Sequence, residues 1–122
     1  MTIKKILLAS SLIFASSLAV PAFSANLVCQ LNVKPGGQVM GNGTSHCNGI
    51  DFSFGSSTSG SWSITNISKS IDRVHWIKGC NSGLSCGVTV RAYSPNEAQA
   101  YIHYKDGSIE YVTANMWYET GH

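Results

Sequence analysis

Charge is scarce in this chain. Only 11% of its 122 residues are Asp, Glu, Lys or Arg, and the formal net charge of +2 rests on its first few residues. Lys4 and Lys5 belong to a basic start, Met1-Thr2-Ile3-Lys4-Lys5, ahead of an apolar run from Ile6 to Val20 that only serines interrupt. Without that start, six basic residues face six acidic ones. A neutral chain lacks the Lys/Arg surplus that phosphate backbones demand, so nucleic acid is not an expected partner. It also lacks the polybasic segment that would dock it on an anionic membrane.

Long apolar stretches are equally rare. The 6–20 run is short of the roughly 20 residues of a spanning helix, and nothing later approaches that length. Followed by Pro21-Ala22-Phe23-Ser24, with small residues at the −3 and −1 positions, it has the plan of a secretory signal peptide. The expected leader is 1–24, cut before Ala25 or one residue later before Asn26, and 25–122 remain as a single domain with no membrane span. The Lys-Lys start looks bacterial, which places the product in the periplasm or outside the cell. Asn42-Gly43-Thr44 and Asn66-Ile67-Ser68 read as glycosylation sequons, but such triplets arise by chance in a chain this rich in Ser, Thr and Asn.

Chemical signatures are missing too. There is no G-x-S-x-G, no H-E-x-x-H and no C-x-x-C, and the four histidines, His46, His75, His103 and His122, are scattered. Catalysis therefore has only residue types in its favour, and neither a metal nor another cofactor is expected.

What the chain does have is four cysteines, Cys29, Cys47, Cys80 and Cys86, all beyond the leader. An oxidising compartment favours disulfides, and four cysteines allow three connectivities. The local pairs Cys29–Cys47 and Cys80–Cys86 are favoured, because Asn81-Ser82-Gly83-Leu84-Ser85 is rich in turn-forming residues. By loop length these pairs stabilise the fold by about 3 and about 2 kcal/mol. A domain this small needs the help.

The remaining pattern is β throughout. Leu27, Cys29, Leu31 and Val33 alternate onto one face. A second strand reads from Thr44 to Phe54 with Ile50, Phe52 and Phe54 inward; Cys47 then needs a bulge near Asn48-Gly49 to reach the core. Gly55 to Gly60 reads as a flexible loop. Strands follow over 61–67, 71–77 and 87–93, carrying Trp62, Ile64, Val74 and Trp76 inward. Asn96 to Ala100 has the composition of a short helical turn. Asp106-Gly107 between alternating runs signals a two-residue hairpin. That register sets Tyr104 against Ile109, His103 against Glu110 and Ile102 against Tyr111, with His103 and Glu110 on the outer face. The count comes to about seven strands, which suits an all-β, antiparallel two-sheet sandwich.

From Trp62 to Trp117 the chain resembles small exported bacterial proteins with an immunoglobulin-like sandwich. Val74-His75-Trp76, Val88-Thr89-Val90 and Tyr104-Lys105-Asp106-Gly107-Ser108 carry the resemblance. It departs from antibody domains in having no two cysteines that bracket Trp76 at inter-sheet spacing. The resemblance implies an architecture and no function.

Candidate binding residues follow from parity. Met116-Trp117-Tyr118 must point at least one large aromatic outward, and Tyr93 and Tyr101 join Trp117 as expected surface anchors. His103 beside Glu110 reads first as an ordinary cross-strand pair and second as a pH-responsive spot. The expected function is a non-enzymatic binding module for a protein or glycan ligand. An inhibitor or toxin-associated subunit that docks the Cys80–Cys86 loop is the alternative, and a small hydrolase the third.

Overall fold

A computed structural model describes residues 24–121, so the expected leader, apart from Ser24, and the terminal His122 lie outside the described residues. Eight strands follow one another: β1 (Asn26–Asn32), β2 (Gln38–Met40), β3 (His46–Ile50), β4 (Ser57–Thr65), β5 (Ile71–Lys78), β6 (Ser85–Arg91), β7 (Asn96–Tyr104) and β8 (Ile109–Glu119). They form two sheets, β1-β4-β6 and β2-β3-β8-β7-β5. The all-β sandwich is as expected, but the larger sheet is mixed, because β3 runs parallel to β8.

The core lies between the inner faces. Leu27, Cys29 and Leu31 of β1 and Trp62 and Ile64 of β4 face Ala98, Ala100 and Ile102 of β7 and Val112, Ala114, Met116 and Tyr118 of β8, all buried. Strict alternation along each strand produces this arrangement. Each large apolar side chain removed from water contributes about 1.5–3 kcal/mol.

Both expected disulfides are present. Cys29 lies on β1 and Cys47 on β3, so this bond ties the two sheets together where the chain crosses between them. Cys80–Cys86 closes the connection from β5 to β6, which also crosses between sheets.

Several expectations are corrected. No bulge is needed at Asn48-Gly49, since β3 keeps regular register with both neighbours. The inward set is Cys47, Gly49 and Asp51, while Phe52 and Phe54 point to solvent. Gly49 faces the core by strand phase, and glycine is required there because a Cβ would lie 2.7 Å from both Leu31 and Val33. Most of the expected loop over 55–60 is strand. Ser57 to Gly60 pair with β6, and Ser59 and Gly60 pair with β1 as well, so neighbouring ladders override weak β propensity. Asn96 to Ala100 are likewise strand, held by β8. β2, set in a Gly/Asn-rich stretch, has no counterpart in the sequence reading.

The hairpin between β7 and β8 is real, but its loop has three residues rather than two. Gly107 N donates to Tyr104 O at 3.0 Å, Tyr104 N donates to Ser108 O at 2.9 Å, and Gly107 alone adopts positive φ, at 89°. This is a turn with a left-handed glycine at the bulge position. The register moves by one residue as a result. His103 faces Ile109, Ile102 faces Glu110 and Tyr101 faces Tyr111. A one-residue slip exchanges the faces, so the expected His103–Glu110 pair does not form. Glu110 turns inward, and Ile109 and Tyr111 turn outward.

Candidate functional site

The outer face of the larger sheet carries the site. Three strands cross in register there, setting His75, Tyr101 and Tyr111 in one row and Arg73, His103 and Ile109 in the next. The rings of Tyr101 and Tyr111 have centroids 5.1 Å apart and tilt by 48°. Such a contact is favourable in itself and holds both rings in place. Ile109 is 58% exposed, Tyr111 48% and Tyr101 40%. Scattered exposed apolar residues are ordinary; three side by side on paired strands form a patch.

Trp117 lies on the same face of β8, six residues along from Tyr111 and thus roughly 20 Å away at strand rise. Thr113 and Asn115 separate the two on β8. Beside Trp117 a groove of ≈ 220 Å³ is lined by Gln38, Met40, Asn48, Ile50 and Glu119. The indole Nε1 donates to Glu119 Oε1 at 3.3 Å. A ring edge, two amides and a carboxylate around one groove supply both apolar contact and directional hydrogen bonding.

The remaining sequence candidates divide. Tyr101, His103 and Trp117 share this face. Tyr93 is exposed but belongs to an end of the sandwich, where it lines a separate hollow of ≈ 250 Å³ with Phe54 and Thr120. Its φ of 58° takes it out of strand geometry, so parity counting does not apply to it. Its hydroxyl accepts from Thr120 N at 3.2 Å. Glu110 accepts from Tyr104 Oη at 2.7 Å on the inner side. Burial, and then that carboxylate, push the Tyr104 hydroxyl up to about 12.

Sequence reasoning missed Asp51, the one acidic residue with no exposed surface among the described residues. Its Oδ2 accepts from Lys34 N at 2.9 Å and Tyr118 Oη at 2.6 Å, and its Oδ1 from Ser53 N at 3.0 Å and Ser53 Oγ at 2.6 Å. Burial opposes the charge, but these four donors outweigh it and hold the carboxyl well below the usual carboxylate range. The legible signal was Asp-x-Ser, since Asp106-Gly107-Ser108 builds the same turn, with Asp106 Oδ1 accepting from Ser108 N at 2.9 Å. With every lone pair engaged, Asp51 holds structure rather than reacting.

Asn42, one of the two sequon residues, is also committed. Its amide donates to Leu31 O at 3.2 Å and its Oδ1 accepts from Leu31 N at 2.8 Å. No family model, curated protein or solved structure matches the chain. What stands on its own geometry is the class: a disulfide-pinned, two-sheet β-sandwich with an aromatic patch on its larger sheet.

Proposed function

We propose that this chain is a non-enzymatic binding module of an oxidising compartment, secreted or periplasmic, from a bacterial source and of immunoglobulin-like architecture. Strand order supports the architecture. With β1, β4 and β6 taken as A, B and E and β5, β7 and β8 as C, F and G, the pairings A-B-E and G-F-C match the immunoglobulin plan, with strand D lacking and β2 and β3 inserted between A and B to lie beyond G. The two disulfides support the compartment.

The observation that carries the binding function is the exposed cluster of Ile109, Tyr111 and Tyr101 on a sheet backed by the core. Exposed aromatics on a rigid support are favoured ligand anchors, because little side-chain entropy is lost on contact. The ligand is a protein or a glycan, and Trp117 with its groove extends the same face.

The test is capture from envelope and culture-fluid extracts by the exported protein, run beside a Tyr101→Ser, Tyr111→Ser double variant. A partner held by the wild type and lost by the variant is expected. Capture of nothing, together with hydrolytic turnover in a broad substrate screen, overturns the reading.

One observation favours the inhibitor as a second reading. Trp76 Nε1 donates to Gly83 O at 2.9 Å, which braces the Cys80–Cys86 loop, while Leu84 at its tip is 43% exposed. Selective opening of that disulfide would then abolish activity with the fold intact.

A further inference from the structure

Sheet edges offer unpaired backbone, and this fold treats its edges unequally. Along β1 the odd residues point away from β4, and each is covered. Ser45 Oγ donates to Leu27 O at 2.8 Å, Cys29 exchanges bonds with Gly43 and Thr44, and the Asn42 amide clamps Leu31. β5 is bulged at two places and carries Asp72, Arg73 and Lys78. β2 is only three residues long. Bulges, charges and brevity are the usual protections of an edge.

β6 has no bulge and no charge before its terminal Arg91. It is the outer strand of the smaller sheet, in regular register with β4 and without a charge from Ser85 to Val90. Ile64 N donates to Leu84 O and Ala92 N to Ser56 O, so the even residues bond to β4 and the odd ones face outward. Arg91 confirms this phase. Its outward N–H donates to Asn96 Oδ1, and its carbonyl accepts from Asn96 Nδ2, both at 3.1 Å. That amide closes the ladder at Arg91 and leaves Ser85, Gly87 and Thr89 open.

We propose that the β6 edge is a self-association site, at which a second copy of this chain adds its own β6 antiparallel. The segment is complementary to itself. A two-fold axis at Gly87 sets Gly87 against its copy and Ser85 against the copy's Thr89, giving about six main-chain hydrogen bonds across the pair. On the inner face, half-buried Cys86 meets the copy's half-buried Val88, and exposed Leu84 meets the copy's Val90. No like charges are opposed along the paired segment. The axis closes the assembly at two copies and fuses the two smaller sheets into one of twice the width. So short an edge buries little area, so the dimer is weak and depends on concentration.

Gly87→Lys provides the test. A Cβ at Gly87 meets nothing closer than Gly60 O at 3.9 Å, so the monomer accepts the change, while in the dimer two lysines meet at the axis. Sedimentation of the exported protein over a wide concentration range is expected to show a monomer–dimer equilibrium. Hydrogen exchange at the Ser85, Gly87 and Thr89 amides is expected to slow as concentration rises. Gly87→Lys is expected to weaken dimerisation about tenfold or more at an unchanged unfolding midpoint. Tyr111→Ser is expected to leave the dimer alone.

Three results overturn the proposal: a monomer at every concentration with those amides always fast, a dimer that Gly87→Lys leaves intact, or a monomer that takes up an unrelated extended peptide along β6.

Discussion

Tyr118 donates a 2.6 Å hydrogen bond to Asp51, joining the end of the last strand to the residue that follows β3. The carboxylate is shared with Lys34 N and both donors of Ser53, so one charge organises three segments of chain. Asp51→Asn keeps the shape but offers a donor where acceptors are needed. We expect a loss of about 2 kcal/mol or somewhat more in denaturant unfolding, because buried donors are left without partners.

The same carboxyl gives an acid dependence of definite sign. Its folded value is depressed, so the stabilisation is fully present above the unfolded value of about 3.9 and is lost as pH falls below it. Thermal scans should show the midpoint of the wild type dropping through that range. Asp51→Asn should lack this component.

Tyr104 gives the opposite sign at the other end of the scale. Its hydroxyl, buried and bonded to Glu110, is pushed up to about 12. The associated stability is present below the unfolded value of about 10 and disappears as pH rises from there towards 12. Tyr118, buried and bonded to Asp51, is raised as well, so tyrosinate absorbance should show two late-titrating groups, and Tyr104→Phe should remove one of them.

The two disulfides should differ in worth. Cys29–Cys47 spans 18 residues and Cys80–Cys86 spans 6, so chain-entropy arguments give about 3 and about 2 kcal/mol. Paired serine variants, unfolded by urea, check the order. The first should be the more damaging, because it also joins the sheets at a buried position.

Gly107→Ala tests the hairpin. With φ at 89° the residue needs a left-handed backbone, and alanine there should cost about 1 kcal/mol in stability. Asp106→Ala is also expected to weaken the turn, since Asp106 Oδ1 accepts from both donors of Ser108.

The inner faces were legible because alternation is local. Leu27, Cys29 and Leu31, and Trp62 with Ile64, sit where counting by two places them. Register was not legible, because Lys105-Asp106-Gly107 is compatible with two loop lengths that differ by one residue. That residue exchanged Glu110 for Ile109 and Tyr111 on the outer face, so Tyr101 was foreseen as a surface anchor but its partner was not. Ser57 to Gly60 were illegible for another reason. Their strand conformation comes from β6 and, at Ser59 and Gly60, from β1 as well, and nothing in six small residues announces neighbours so distant in sequence. Asp51 was missed because a buried carboxylate depends on Tyr118, 67 residues away.

β8, the last of the described strands in chain order, lies at the middle of the five-stranded sheet, with β3 on one side and β7 on the other. A sheet built outward from its final strand has no centre until synthesis reaches Glu119. Every shorter nascent chain holds two unmatched halves, β2-β3 and β5-β7, that cannot bury their apolar faces together. The five-stranded sheet therefore cannot close over its core before β8 is made, and the earlier strands wait for it.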